Sequence, residues 1–227
     1  MISGIDGAGG PPVLPPPPLI IAKIAASGAL EELGNRFVVS GTTFQVSDTT
    51  SILIDGQTNS DDSMLSSGQV AVVRAHVDEL NNAIAKEIIV TTQVSGAISH
   101  ITDKSITVLK HIIILHDDIV FGGSAKQFPD LKDGDVVNVS GFRLSDGNFS
   151  AIRIYRVETS LEKITGSISQ VNDSEKIFFI NDLAINYSQV AGSFEPKEGD
   201  TVNVTGTVNN HNQSVLDALS INIAHQF

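Results

Sequence analysis

The sequence predicts an all-β protein built from three tandem copies of one small unit. Three observations carry that expectation. Val and Ile abound beside Thr, Ser, Asn and Gly, the vocabulary of strands and turns, while aromatics are only 5% of the chain. Apolar and polar residues alternate over short runs bounded by Gly, Asn and Asp, as half-buried strands and hairpins require. Three sequence anchors also recur in the same order at matching distances, which marks a long-period repeat.

The opening MISGIDGAGGPPVLPPPP carries one charge and is almost wholly Gly, Pro and small residues. Gly-rich chain is flexible and a Pro run is a stiff polyproline II rod, so residues 1–25 read as a flexible tail or spacer. Repeat 1 then spans 26–93, repeat 2 spans 94–162 and repeat 3 spans 163–227. Each opens on a Gly after Ser or Thr: Gly28 in ASGALEEL, Gly96 in VSGAISHI and Gly166 in ITGSISQV. A hairpin follows, as FVVSGTTFQV (37–46) with Ser40-Gly41 at its bend, ITVLKHIIIL (106–115) and IFFINDLAIN (177–186). A longer connection, with at most one turn of helix, leads to the second anchor. That anchor is LKDGDVVNVSG (131–141) and PKEGDTVNVTG (196–206), with SSGQVAVVRA (66–75) as a worn third copy. A last strand closes each unit: AKEIIV (85–90), AIRIYRV (151–157) and ALSINI (218–223).

Five strands with one long connection between the third and fourth suit a small five-stranded barrel of the OB type. The expected architecture is therefore three tandem OB-like β-barrels behind a Gly/Pro-rich tail. Closure removes exposed edges. A unit of about 65 residues has a marginal core by itself, so the units are expected to pack on one another. The rival arrangement is one elongated β structure with strands shared across unit boundaries.

At these anchors the chain resembles a bacterial exported family, the domain-of-unknown-function family 5666. Its repeats read Gly-x-Ile, then V-x-G-x-x-F-x-V, then GD-x-V-x-V-x-G, then A-x-x-I-x-V. Gly96 with Ile98, then Val39, Gly41, Phe44 and Val46, then GDVVNVSGF and AIRIYRV fill those places. The likeness covers nearly all of 26–227. It implies OB-like repeats with no assigned activity, in a protein that is periplasmic, anchored at the outer membrane or secreted. The leader SGIDGAGGPP is similar to the stretch after a lipobox cysteine in such proteins, which implies a lipid anchor whose Cys lies outside this sequence. Met1 in front of it then reads as a start codon on a processed protein. Repeat 1 departs most, with Gln69 for Asp and Ala75 for Gly, so its second anchor is expected to be looser.

A net charge of −12 repels phosphate backbones and anionic headgroups, which argues against nucleic acid and leaves membrane contact only to the lipid anchor. The absence of Cys excludes disulfides, Cys-ligated metals and thiol catalysis. Asp135 and Asp200 have no acid–base partner in their own phrase and read as turn residues. His116-Asp117-Asp118 is the local cluster with ligand character. Neighbours on a strand oppose each other, so His116 and Asp118 are the candidate metal ligands. His111 falls at a hairpin turn, and His76, His100, His211 and His225 stand alone and read as surface. Asp55, Asp61 and Asp62 lack EF-hand spacing.

Arg143, Arg153 and Tyr155 lie in repeat 2, the near-neutral unit, with 7 basic against 8 acidic residues over 95–160. Arg153 and Tyr155 share a strand face and form a candidate binding patch. Gly122-Gly123-Ser124 reads as a loop. No cofactor is implied. The function expected is that of a non-catalytic, exported binding or structural module for a protein or polysaccharide of the envelope or host. It would act through the stretches that do not repeat, 47–67, 116–132 and 187–198. Two alternatives stay open: a hydrolase of an extracellular polymer using dispersed carboxylates, and single-stranded nucleic-acid binding by an OB-like face.

Overall fold

The computed structural model describes residues 28–33, 36–59, 62–78, 80, 82–158, 161–192, 194–208 and 214–224; the expected tail, 1–25, lies outside them. Repeat 1 contributes β1 (Gly28–Ala29), β2 (Glu31–Leu33), β3 (Arg36–Val39), β4 (Thr42–Gln45), β5 (Ser51–Ile54), β6 (Gln57–Asn59), β7 (Val70–Val77) and β8 (Ala83–Val90). Repeat 2 contributes β9 (Val94–Ile101), β10 (Ser105–Val108), β11 (His111–Ile114), β12 (Val120–Gly123), β13 (Val136–Arg143) and β14 (Phe149–Val157). The last stretch contributes β15 (Glu162–Ser167), β16 (Ser169–Asn172), β17 (Ile177–Ile180), β18 (Leu183–Asn186), β19 (Thr201–Val208) and β20 (Val215–Ile223).

One pairing circuit recurs in each repeat. In repeat 2, β9 pairs with β10 and β10 with β11; β11 runs parallel to β14, β14 pairs with β13, and β13 returns to β9. Repeat 1 follows it through β2, β3, β4, β8, β7 and β1. Repeat 3 follows it through β16, β17, β18, β20, β19 and β15. The alternation read in the sequence sets the core: Val137 and Val139 of β13, and Val202 of β19, are fully buried, with Val204 nearly so.

The second anchor works the same way three times. Gly68, Gly134 and Gly199 have φ of +86°, +87° and +89°, a left-handed conformation that glycine adopts without a Cβ penalty. Their N–H groups donate to the carbonyls of Leu30, Ile98 and Ile168, and those residues donate back to the residue after each Gly, at 2.8–3.0 Å. A buried apolar residue, within β9 in repeat 2 and at the break between β1 and β2 or β15 and β16 in the others, is thereby clamped to the start of the fourth strand. The join in repeat 1 is not looser, contrary to expectation. Gln69 Oε1 accepts the Ser66 N–H at 2.8 Å, as Asp135 Oδ2 accepts that of Lys132 at 2.8 Å.

Two departures concern the connections. Stretches 47–67 and 116–132 are not plain loops: β5 pairs parallel with Glu87–Val90, and β12 with Arg153–Arg156. Gly122 and Gly123 are therefore strand residues and not a loop. A Cβ on Gly122 would lie 2.6 Å from the Tyr155 ring, and one on Gly123 2.0 Å from the Arg156 carbonyl oxygen. The third connection, 187–198, adds no strand among the described residues.

The units differ in how they join. Repeat 1 keeps its own eight-stranded sheet and core, whereas repeats 2 and 3 share a twelve-stranded sheet and one core cluster. The cause is β9, whose Val94 and Ser95 pair with β13 on one edge and with Ile164 and Lys163 of β15 on the other. Separate packing describes repeat 1, and strand sharing describes the junction of repeats 2 and 3.

At the bulge in the fourth strands of repeats 2 and 3, Gly141 and Gly206 face the carbonyl oxygens of Ser150 and Asp217, which a Cβ would meet at 2.1 and 2.2 Å. Gly141→Ala must push β13 from β14, and overpacking of this kind costs about 1–3 kcal/mol. Urea unfolding of the variant is expected to show a lowered midpoint at unchanged slope.

Candidate functional site

The residues singled out by sequence fall in three separate places. His116 lies beyond the end of β11, exposed, in a turn with exposed Asp117 and Asp118. Its Nε2 bonds Ser150 Oγ at 3.0 Å. No group of three or more His, Cys, Asp or Glu that could hold a metal occurs among the described residues, so His116 and Asp118 have no further ligand of that type beside them.

Arg153 and Tyr155 do come together. The guanidinium carbon sits 5.0 Å from the centroid of the Tyr155 ring, and Tyr155 is 39% exposed. Arg153 also faces repeat 1. Its Nη1 donates to the Ser67 carbonyl at 3.4 Å, and its Cβ packs with Val120 against Gly68. Burial holds this guanidinium below the ordinary arginine range, and its Nε is covered without a partner.

Arg143 does not join that patch; it faces repeat 3. Its Nη2 donates to Asn181 Oδ1 in the β17–β18 turn at 2.9 Å. Gly166 makes room for it, since a Cβ there would fall 2.6 Å from Nη1. Nη1 is covered and unpartnered, and burial again lowers the arginine pKa. Arg143, Ser145, Asp146, Ser167 and Asn181 line an open cleft of about 420 Å³ at this seam.

His111, read from sequence as a turn residue, begins β11 and is 1% exposed. Its Nδ1 meets the Leu109 carbonyl at 2.7 Å and its ring lies 5.6 Å from that of Phe149. Desolvation, and to a lesser degree the Arg143 charge, hold its pKa below the usual imidazole range. His76 is half-buried, with a covered and unpartnered Nδ1, so it is not a plain surface residue. His211, His225 and Asp61 lie outside the described residues.

Several carboxylates are engaged in joints. Asp135 Oδ1 pairs with Arg156 at 2.6 Å. Asp55 accepts the Thr92 N–H at 2.6 Å and pairs with Lys163 of β15, which ties repeat 1 to repeat 3. Sequence reasoning missed Ser67, Lys163 and Asn181. Each acts across a seam, with partners from 38 to 108 positions away, and no local pattern announces that.

The sequence pattern of the family described as "Domain of unknown function (DUF5666)" matches residues 26–89 and 95–155. The chain belongs to that family. No curated protein matches it. Among solved structures, "drosophila Unr CSD456" is similar at 12% identity, over 89% of this chain and 98% of that one, with a TM-score of 0.25. A multidomain protein with nucleic acid binding domains from Streptococcus pneumoniae is similar at 12% identity, over 88% of this chain and 72% of that one, with a TM-score of 0.20.

Repeat 3 holds an aromatic cluster of buried Phe178 and Tyr187 with half-buried Phe194, the ring centroids 5.8–6.2 Å apart. Burial first, then the hydrogen bond from Tyr187 Oη to Asp173 Oδ1 at 2.8 Å, push the phenol up to about 12. The folded state thus favours the neutral phenol. That contribution is complete below the unfolded value of about 10 and is lost as pH rises through about 12. Stability is expected to fall between those values in chemical denaturation, and Tyr187→Phe should flatten that fall.

Proposed function

We propose that the chain is a non-catalytic, exported repeat protein, a binding or structural module of the bacterial cell envelope or extracellular space. In this reading 26–93, 94–162 and 163–227 are three five-stranded OB-like barrels behind a Gly/Pro-rich spacer. The recurrent pairing circuit supports the barrels.

One observation carries the functional part: the residues that recur are occupied in holding the fold. Gly68, Gly134 and Gly199 clamp Leu30, Ile98 and Ile168, and Gln69 and Asp135 fix the turns beside the first two glycines. Recognition then belongs to the parts that differ, which are the connections 47–67, 116–132 and 187–198 and the polar cleft beside Arg143. A protein or polysaccharide is the partner that suits a surface of charge −12; nucleic acid is disfavoured. Export and a lipid anchor rest on the likeness of the leader to those of exported family members.

A second reading, single-strand nucleic-acid binding, draws on the stacked pair Arg153 and Tyr155. The net charge opposes it, as does the bond that turns Arg153 toward repeat 1.

Incubating the immobilised chain with purified envelope polysaccharides and envelope proteins separates these readings. Saturable retention without product release is expected. Release of new reducing ends or peptides would reverse the non-catalytic assignment, and stronger, salt-sensitive retention on single-stranded DNA would favour the second reading. Recovery of the native protein in the cytosol would remove the export assignment.

A further inference from the structure

Repeats 1 and 2 each cover the second half of their last strand with a short parallel strand: β5 lies on Glu87–Val90 and β12 on Arg153–Arg156. The bulge pairs Ala75 with Ala85, Gly141 with Ala151 and Gly206 with Ala218 make the three last strands equivalent. The matching stretch in repeat 3 is Ser220–Ile223 of β20. Among the described residues no strand lies on that side of it.

Burial records the deficit. Ile88 and Ile154 are 0% exposed, whereas the equivalent Ile221 is only partly buried, with Leu219 49% and Ile223 69% exposed beside it. Unpaired backbone groups flanked by apolar side chains form a template for strand addition.

The two filled copies state what fits. The occupant is an extended stretch of four or so residues, parallel to β20, with apolar side chains turned to the core as those of Ile52 and Phe121 are. Leu19–Ile24, LIIAKI, has that character, and the other undescribed stretches are Gly/Pro-rich, polar or too short. Its one charge, Lys23, complements a unit with 3 basic and 8 acidic residues over 161–227.

The chain's own tail enters in another sheet, since Gly28 pairs with Ala71 of β7 and that sheet is separate from the one that holds β20. Ile24 can lie at most about 13 Å from Gly28 along the chain. We propose that residues 19–24 of a second copy add as a parallel strand to Ser220–Ile223 and so join two chains.

The chain has no cysteine, which makes the test direct. Full-length Ile21→Cys and Ile223→Cys, mixed and oxidised, are expected to form a mixed disulfide dimer in preference to either like pair. Sedimentation of the cysteine-free chain should show concentration-dependent dimers. Ile223→Asp, or Ile20→Asp with Ile21→Asp, should weaken them by about tenfold or more without lowering the melting temperature. A chain that stays monomeric at millimolar concentration overturns the proposal, as does association indifferent to both variants. A monomer also overturns it if its Ser220–Ile223 amides are protected from hydrogen exchange until Ile20 and Ile21 are replaced, since the strand would then come from the chain's own tail.

Discussion

Gln93, Val94 and Ser95 are hydrogen-bonded along both edges, and the arrangement of the three units depends on them. On one side the Gln93 N–H donates to the Val139 carbonyl at 3.0 Å; on the other the Gln93 carbonyl accepts the Thr165 N–H at 2.9 Å. The same three residues follow directly from repeat 1, whose Thr92 is held by Asp55. The boundary between repeats 1 and 2 thus opens a shared strand, and all three units converge on it. Buried backbone groups must find partners, and here a neighbouring unit supplies them where solvent would otherwise.

Side chains reinforce that junction in a pattern that the second anchor carries twice. Ser95 Oγ donates to Asn138 Oδ1 at 2.7 Å, and the equivalent Thr165 Oγ1 donates to Asn203 Oδ1 at 2.7 Å. Asn in a strand is otherwise disfavoured. In both places it satisfies a hydroxyl of the first strand, and Ser95 is fully buried. Repeat 1 has Val72 at the corresponding position, in the unit that keeps a separate sheet.

The sequence made the internal plan of each unit legible because its causes are local. Alternation sets which face is buried, and a Gly-Asp or Gly-Gln pair sets a turn whose geometry three residues can encode. Ser40-Gly41 illustrates this, with φ of +47° and +75° at the bend read from sequence. Relations between units were not legible. Lys163 with Asp55, and Arg143 with Asn181, link residues whose chemistry looks ordinary until the fold brings them together. Arg143 and Arg153 stand close in sequence and chemically alike, yet they face different neighbours. Spacing along a strand cannot report which unit lies opposite. Gly122-Gly123 was misread for a related reason: glycine marks loops by its freedom, but here it marks a close approach of backbone and ring.

The pairing of β9 with β15 sets Val94 directly opposite Ile164, and these two occupy the same position in successive repeats. Antiparallel contact between equivalent residues is the internal counterpart of a two-fold, isologous interface, in which each partner uses the surface it offers. Repeats 2 and 3 are therefore related as a fused dimer and not as links of a chain. Such a contact saturates at two. A further copy could not join through this same contact, whose two edges are already used, and would need a different kind of junction.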